Sequence, residues 1–87
     1  MAYTHNNIAT ATTTVVKSGA GILHCITINT TAAGTITVYD NTAGSGTKIA
    51  TIAASPVIGS TFLYDVSFTT GLTIVTAAAT DATVSYR

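Results

Sequence analysis

The sequence predicts an all-β domain, a compact antiparallel β-sandwich or barrel of about seven or eight short strands. Thr alone fills 20 of the 87 positions, and β-branched side chains fit the pleated, half-buried surface of a sheet. Glu and Gln, which favour helices, do not occur. Short strand-like segments recur between small-residue turns at spacings of roughly 8–12 residues, as in sandwiches and barrels.

Taken in order, the strand-like segments are separated by recognisable breaks. Gly19 and Gly21 end the first segment, Gly44 and Gly46 lie in a later loop, and Pro56 marks the end or edge of another. The predicted strands are residues 8–17, 22–30, 35–40, 47–53, 62–68, 72–76 and 82–87.

The clearest alternation predicts the centre of the hydrophobic core. Successive side chains of a strand point to opposite faces, so every second residue shares a face. The residues expected to share the core face are Phe62, Tyr64, Val66 and Phe68.

One domain is expected, because a chain of this length has room for one hydrophobic core. Residues 8–87 form the predicted β domain, and residues 1–7 form a polar arm that is flexible or contacts a partner, with Tyr3 as its anchor. The arm has neither a basic region nor an apolar core, so we expect no signal peptide and synthesis in a cytoplasm.

The low charge restricts the partners that the chain can bind. Only 7% of the residues are charged and the net charge is zero, so little repels one copy from another. The three basic residues are far apart in sequence and make no stripe for nucleic acid, and no apolar run is long enough for a membrane helix. A single Cys excludes an intrachain disulfide. These features predict an assembly component that forms homo-oligomers.

No catalytic, metal or cofactor site is predicted. His24 and Cys25 are adjacent, and adjacent residues of a regular strand point to opposite faces. We expect His24 to be a hydrogen-bonded core or interface histidine in an apolar row with Ile22, Ile26 and Ile28. Cys25 is expected to be a small buried hydrophobe. The chain is therefore expected not to be an enzyme.

The three carboxylates have ordinary structural interpretations. Asp40 and Asp81 lie at turns, where Asx turns and capping explain them. Asp65 lies within a strand and is expected to pair with Lys48 or Arg87. The residues predicted to contact other subunits or a shell are Tyr3, His5, Tyr39, Asp65, Tyr86 and Arg87.

The chain also contains an internal similarity. Residues 26–38 and 72–84 align without a gap at an offset of 46, with seven identities in thirteen positions. Both segments read as a strand, an Ala-rich turn and a second strand. Duplicated hairpins explain the match, and so does the Thr- and Ala-rich composition alone.

Four segments of the sequence resemble small β-rich proteins of tailed bacteriophages. The resemblance lies in Gly-Ile-Leu-His-Cys-Ile-Thr-Ile-Asn-Thr-Thr-Ala-Ala-Gly-Thr-Ile-Thr-Val-Tyr-Asp-Asn at residues 21–41 and in Gly-Thr-Lys-Ile-Ala-Thr-Ile at 46–52. It continues in Gly-Leu-Thr-Ile-Val-Thr at 71–76 and Ala-Thr-Val-Ser-Tyr-Arg at 82–87.

The resemblance implies a virion component, most similar to a capsid decoration (cement) protein. Such a role implies trimers or other small oligomers that sit on the major capsid protein at the capsid surface, and no catalytic residues. A tail, fibre or baseplate component, with a receptor- or glycan-binding role, is the alternative. A non-viral ice- or carbohydrate-binding module is a third hypothesis. The irregular spacing of the Thr-x-Thr motifs disfavours ice binding, and the lack of Trp and of a cluster of acids and amides disfavours a sugar site.

Overall fold

The computed structural model describes residues 3–87, and these residues contain β-strands and no helix. Each strand is short and rich in Thr, Val or Ile, as expected from the β propensity of these residues. The strands are β1 (Thr4–Ile8), β2 (Thr13–Ser18), β3 (Gly21–Thr30), β4 (Ile36–Asp40), β5 (Thr47–Ile52), β6 (Thr61–Phe68), β7 (Gly71–Thr76) and β8 (Asp81–Tyr86).

The strands form two four-stranded antiparallel sheets packed as a sandwich. The first sheet has the order β1-β8-β3-β6, and the second has the order β2-β7-β4-β5. Along the chain, successive strands lie in opposite sheets except for the β4–β5 hairpin. The predicted all-β fold is confirmed, and two separate sheets make it a sandwich and not a barrel.

The core lies between the central strands of the two sheets. Buried hydrophobic residues of β3 and β8 and those of β4 and β7 belong to one cluster between the two sheets. The residues with almost no exposed surface include Leu23, Ile26, Ile28, Ile36, Val38, Phe68, Leu72, Ile74 and Val84.

Strand β6 follows its predicted alternation but does not form the centre of the core. Phe68 is buried, whereas Phe62, Tyr64 and Val66 are half-buried and pack against the core from its side. The reason is that β6 is an edge strand, which has a neighbour on one side only. Strand order, which the sequence did not predict, decides which alternating strand is central.

The N-terminal part of the chain differs from its predicted division. The expected strand at residues 8–17 is absent, and β1 and β2 lie in different sheets, joined by exposed residues 9–12. Residues 4–7 of the predicted arm pair with β8 and belong to the domain. Only Ile8 of β1 is buried in the core, so the residues before it need no alternating hydrophobic side chains. Met1 and Ala2 lie outside the described residues.

The strand order contains an approximate two-fold relation between the halves of the chain. If each of β1–β4 is exchanged with the strand four places later, the order of the first sheet becomes β5-β4-β7-β2, which is the second sheet read backwards. The similar segments detected in the sequence therefore occupy equivalent places, in β3–β4 and β7–β8. Ile28 pairs with Ala82, and the equivalent Ile74 pairs with Val38. If the offset of 46 held for both partners, Ile74 would pair with Ile36. The observed register differs by two residues, and because side chains alternate with a period of two, the same side chains still face inward.

Candidate functional site

A β-bulge in the first sheet creates the most distinctive cluster of side chains. Leu23 pairs with Val66 and Cys25 pairs with Leu63, so β6 has one residue more than β3 over this interval. The backbone of Asp65 has a φ of 49°, in the left-handed region that Asp adopts more readily than most residues. Bulges turn side chains away from the regular alternation and are frequent next to functional sites.

The bulge places His24 differently from the sequence prediction. Leu23, Ile26 and Ile28 are buried, whereas Ile22 and His24 are half-buried. Strand β3 also gains a residue against β8 between Leu23 and Cys25, so the inward phase changes there. The predicted apolar row containing His24 is therefore wrong, since a single inserted residue reverses every later side chain.

Cys25 is also affected by the irregular pairing. It is half-buried, and the prediction of a buried hydrophobe is wrong. The prediction that Cys25 and His24 point to opposite faces assumed regular alternation, which the bulge interrupts. Nevertheless, no hydrogen bond joins the two side chains within residues 3–87.

Around the bulge, four polar and aromatic side chains form a continuous cluster. The Nδ1 of His24 lies 2.6 Å from Oδ1 of Asp65. The Tyr3 ring stacks on the His24 ring, with 4.1 Å between centroids and 10° between planes. The Arg87 guanidinium carbon lies 5.5 Å from the Tyr3 centroid, within cation–π distance. The cluster thus ties the residue before β1 and the residue after β8 to the bulge.

The six predicted contact residues are not all together. Tyr3, Asp65 and Arg87 share the cluster. Asp65 was expected to pair with Lys48 or Arg87, and this prediction is wrong because its carboxylate pairs with His24. His5 pairs with Ser85 across the outer face of the first sheet. Tyr39 lies in the second sheet opposite Lys48, and Tyr86 is half-buried and packs against the core. Whether any of them contacts another subunit stays a prediction.

The carboxylate of Asp40, at the end of β4, binds the turn between β6 and β7. It accepts hydrogen bonds from the backbone N–H groups of Thr69, Thr70 and Gly71. The bonds from Thr70 and Thr69 contribute most to holding the pKa of Asp40 below its ordinary value. The partner is thus the β6–β7 turn and not the local Asx turn that was predicted for Asp40.

The Asp81 carboxylate has the same internal role on the outer face of the first sheet. It accepts hydrogen bonds from the amides of Asn7 and Asn29, at 2.6 and 3.1 Å. These bonds, that of Asn7 first, hold the pKa of Asp81 below its ordinary value. With Asp65 bound to His24, each of the three carboxylates accepts a hydrogen bond from the chain itself.

The described residues contain no group of three or more His, Cys and Asp side chains that could hold a metal ion. Residues 3–87 also contain no helix that is long and apolar enough to cross a membrane.

A second candidate site is an apolar β-turn between β5 and β6. The N–H of Ser60 donates to the carbonyl of Val57 at 3.1 Å, and Gly59 takes a φ of 84°, which glycine adopts without strain. The two residues before the glycine, Val57 and Ile58, are 73% and 60% exposed. Turns usually carry polar residues at such positions.

The apolar turn borders a groove of about 420 Å³ at the side of the sandwich where β5 and β6 are the edge strands. Side chains of Ile52, Phe62 and Tyr64 line it, and none of its lining residues is charged. Burial raises the pKa of the Tyr64 hydroxyl. This feature was not predicted, although the run Pro56-Val57-Ile58-Gly59 places two hydrophobic residues at a turn.

The chain matches no protein-family model, and neither a curated protein nor a solved structure shows significant similarity to it.

Proposed function

We propose that this chain is a structural virion protein that decorates and stabilises a bacteriophage capsid by oligomerising and bridging shell subunits. The observation that supports this most is the internal use of all three carboxylates. Because the chain itself binds these carboxylates, few acidic groups are left to form ion pairs with a partner. What the chain presents outward is mainly neutral Thr, Ser, Asn and Ala, which suits extended contact with protein.

The outer face of the first sheet supports such a contact. Asn7 pairs with Thr83, which pairs with Thr27, which pairs with Thr61, so one row of neutral polar side chains crosses all four strands. The hydroxyls of Thr27 and Thr61 lie 3.2 Å apart. This row offers hydrogen-bonding groups to a shell subunit without the desolvation cost of burying unpaired charges.

The proposed assembly is a homotrimer seated on the major capsid protein at the capsid surface, with no cofactor. Each copy contributes apolar and hydrogen-bonded contact, and the repetition of the lattice multiplies that contribution. The resemblance to phage virion proteins supports the identity of the partner, and the neutral surface supports the mode of contact.

Quantitative mass spectrometry of purified phage particles tests the proposal. We expect a ratio to the major capsid protein near one or a simple fraction of it. A few copies per particle would place the protein in the tail, and absence from particles would refute a virion role.

The salt dependence of shell binding tests the mechanism. Because few charges are available to pair with a partner, binding to capsids that lack the protein is expected to change little between low and high ionic strength. A co-sedimentation series with increasing salt measures this. Loss of binding at high salt would show that ion pairs, and not neutral contacts, hold the protein on the shell.

A tail, fibre or baseplate component that binds host glycans is the alternative. The cluster of Tyr3, His24, Asp65 and Arg87 favours it, because an aromatic ring beside a carboxylate and a guanidinium provides groups that sugars bind. Glycan-array binding that Tyr3→Ala abolishes, together with a low copy number, would favour this alternative over decoration.

A further inference from the structure

The two halves of the chain are interlocked in the strand order. The N-terminal half contains β1–β4 and the C-terminal half contains β5–β8, and each sheet takes two strands from each half. Within residues 3–87, each of the six strand pairings joins a strand of one half to a strand of the other. A half on its own therefore has no paired strands, and it needs the other half to form either sheet.

The hydrophobic core is also shared between the halves. A single cluster contains Ile26 and Ile36 of the N-terminal half together with Leu72 and Ile74 of the C-terminal half, and all four are almost completely buried. Separating the halves would expose both sets to water, which is the main free-energy cost of opening a sandwich. The boundary between the halves is therefore the largest apolar contact in the molecule.

The carboxylates make the contact between the halves specific. Asp40 accepts hydrogen bonds from the β6–β7 turn, Asp81 accepts one from Asn7, and Asp65 pairs with His24. Each of these bonds crosses from one half to the other. A foreign surface would have to supply the same donors at the same places, whereas another copy of the chain supplies them by its own sequence.

One connection, the β4–β5 loop, joins the halves covalently. Its residues 42–46 are exposed, and it turns the chain back so that Asp40 pairs with Thr47. Opening the loop breaks its own hydrogen bond from the Asn41 amide to the Ser45 carbonyl. Six extended residues reach about 20 Å, so an open loop can lead from one sandwich into a neighbouring one.

We propose that this chain exchanges halves with other copies of itself, so that β1–β4 of one copy pair with β5–β8 of another. All six strand pairings form again in the exchanged state, and the exchange closes with two copies or with three in a ring. This inference rests on the proposed function in one respect, because it names how the proposed oligomer forms. Exchange is measurable without a capsid, and its absence would leave decoration by unexchanged copies standing.

Concentration decides between the closed monomer and the exchanged oligomer, since the pairings are the same in both. A short flexible linker holds its two ends at an effective concentration in the millimolar range. The closed monomer therefore dominates at micromolar concentration, and exchange competes when the chain itself is millimolar. A lattice that holds copies side by side raises the local concentration in the same direction. Because exchange requires the halves to separate, the chain must unfold and refold to reach it.

Two loop deletions test the proposal. A variant that lacks residues 41–46 joins Asp40 directly to Thr47, so β4 and β5 cannot turn back on each other and only exchange can pair them. A variant that lacks residues 42–45 is the matched control, because it keeps Asn41 and Gly46 as the Asn-Gly turn that two-residue hairpins favour. After refolding at micromolar concentration, sedimentation velocity should show a dimer for the first variant and a monomer for the control.

The wild-type chain should respond to the concentration at which it refolds. We expect a monomer after refolding at micromolar concentration, and a share of exchanged chains at least about 10-fold larger after refolding at millimolar concentration. Circular dichroism and cooperative thermal unfolding establish that each sample is folded.

A cross-strand disulfide distinguishes exchange from association of intact sandwiches. Cys25 of the N-terminal half lies opposite Ser85 of the C-terminal half, in β3 and β8, and paired residues of antiparallel strands are within disulfide reach. After oxidation of an exchanged dimer, the thiol introduced by Ser85→Cys should link two chains, and electrophoresis without reductant should show a covalent dimer. In a dimer of unexchanged sandwiches the same bond stays within one chain. The chain with Cys25 alone controls for collisional crosslinking.

Three results would overturn the proposal. The first is a folded monomer of the variant that lacks residues 41–46. The second is a wild type that stays monomeric after refolding at millimolar concentration, and the third is an oligomer in which the Ser85→Cys disulfide stays within one chain. If the variant that lacks residues 41–46 does not fold, the disulfide in wild type refolded at millimolar concentration decides. Exchanged dimers without trimers would support the exchange and contradict only the trimer.

Discussion

At the scale of single residues, the backbone conformation of Asp65 explains why the bulge lies where it does. A φ of 49° is strained for most side chains and strongly so for β-branched ones, whereas Asp and Asn tolerate it. The carboxylate is then aimed at His24, and the imidazole in turn supports the Tyr3 ring. The conformation of one residue thus decides the geometry of the whole cluster.

Substitutions of Asp65 should separate the contribution of its charge to stability from that of its left-handed backbone conformation. Asp65→Asn keeps tolerance of the left-handed conformation and loses the charge, so it should cost no more than about 1 kcal/mol, because the pair with His24 is partly exposed. Asp65→Val should cost about 1–3 kcal/mol more, since a β-branched residue is strained there. Urea unfolding at neutral pH measures both. Equal stability of the two variants would show that the left-handed conformation is not maintained in solution.

The hydrogen bonds of Asp40 should make the free energy of unfolding depend on pH. Its folded pKa lies below the ordinary value of 3.8 because backbone N–H groups of the β6–β7 turn bind the charged form. The stability that it contributes is present above pH 3.8 and is lost as the pH falls through the folded pKa. Denaturation curves below pH 5 should therefore show a steeper loss for the wild type than for Asp40→Asn.

Asp81 provides the internal comparison for this experiment. Its pKa is also lowered, so some acid sensitivity should persist in Asp40→Asn and decrease further in the double variant with Asp81→Asn. An acid profile identical in wild type and Asp40→Asn would contradict the role assigned to the Asp40 carboxylate.

At the scale of elements, the edge strand β1 differs from the two central strands of its sheet. It pairs with β8 alone and buries one hydrophobic side chain, Ile8, whereas β3 and β8 have neighbours on both sides. Local opening requires least free energy where few apolar contacts are lost. The element is therefore held by its cluster at one end and by Ile8 at the other.

Hydrogen exchange should detect this difference. We expect the hydrogen-bonded amides of β1 to exchange faster than those of β8 under native conditions, and Ile8→Ala to accelerate β1 further with little effect on β3. Amide-resolved NMR or mass spectrometry measures the rates. Equal protection of β1 and β8 would show that β1 opens only with the whole sandwich.

At the scale of the whole molecule, the two-fold relation of the strand order predicts that the fold tolerates a new order of its halves. Thr4 pairs with Tyr86, so the two ends of the described chain lie on adjacent strands. A circular permutant opened between Gly44 and Ser45, in the exposed β4–β5 loop, would run β5–β8 and then β1–β4. It should keep the far-UV circular dichroism spectrum and cooperative unfolding of the wild type.

A second permutant provides the control. Opening the β7–β8 connection at residues 77–80 breaks a segment that packs tightly, since a Cβ added at Gly34 would lie 2.6 Å from Ala78 and Thr80 is buried. This permutant should be clearly less stable. If both permutants were equally stable, the packing of that connection would matter less than the structure indicates.

How much the sequence could predict depended on whether a feature is local. Residues 61–68 alternate as expected because alternation is a property of one strand. The order of strands, which made β6 an edge, depends on pairing between segments far apart in the chain. The apolar turn at Val57 and Ile58 was readable from sequence and was missed, whereas the partner of Asp65 was not readable, since His24 is 41 positions away.

The sequence by itself determined the all-β class, the approximate number of strands and the scarcity of charge, because these follow from composition and from local preferences of the backbone. Tertiary structure alone decided the sandwich, its two-fold strand order, the phase change at His24 and the internal use of all three carboxylates. The physical reason is that a bulge or a cross-strand hydrogen bond is selected by the free energy of two segments together. Neither segment contains that information alone.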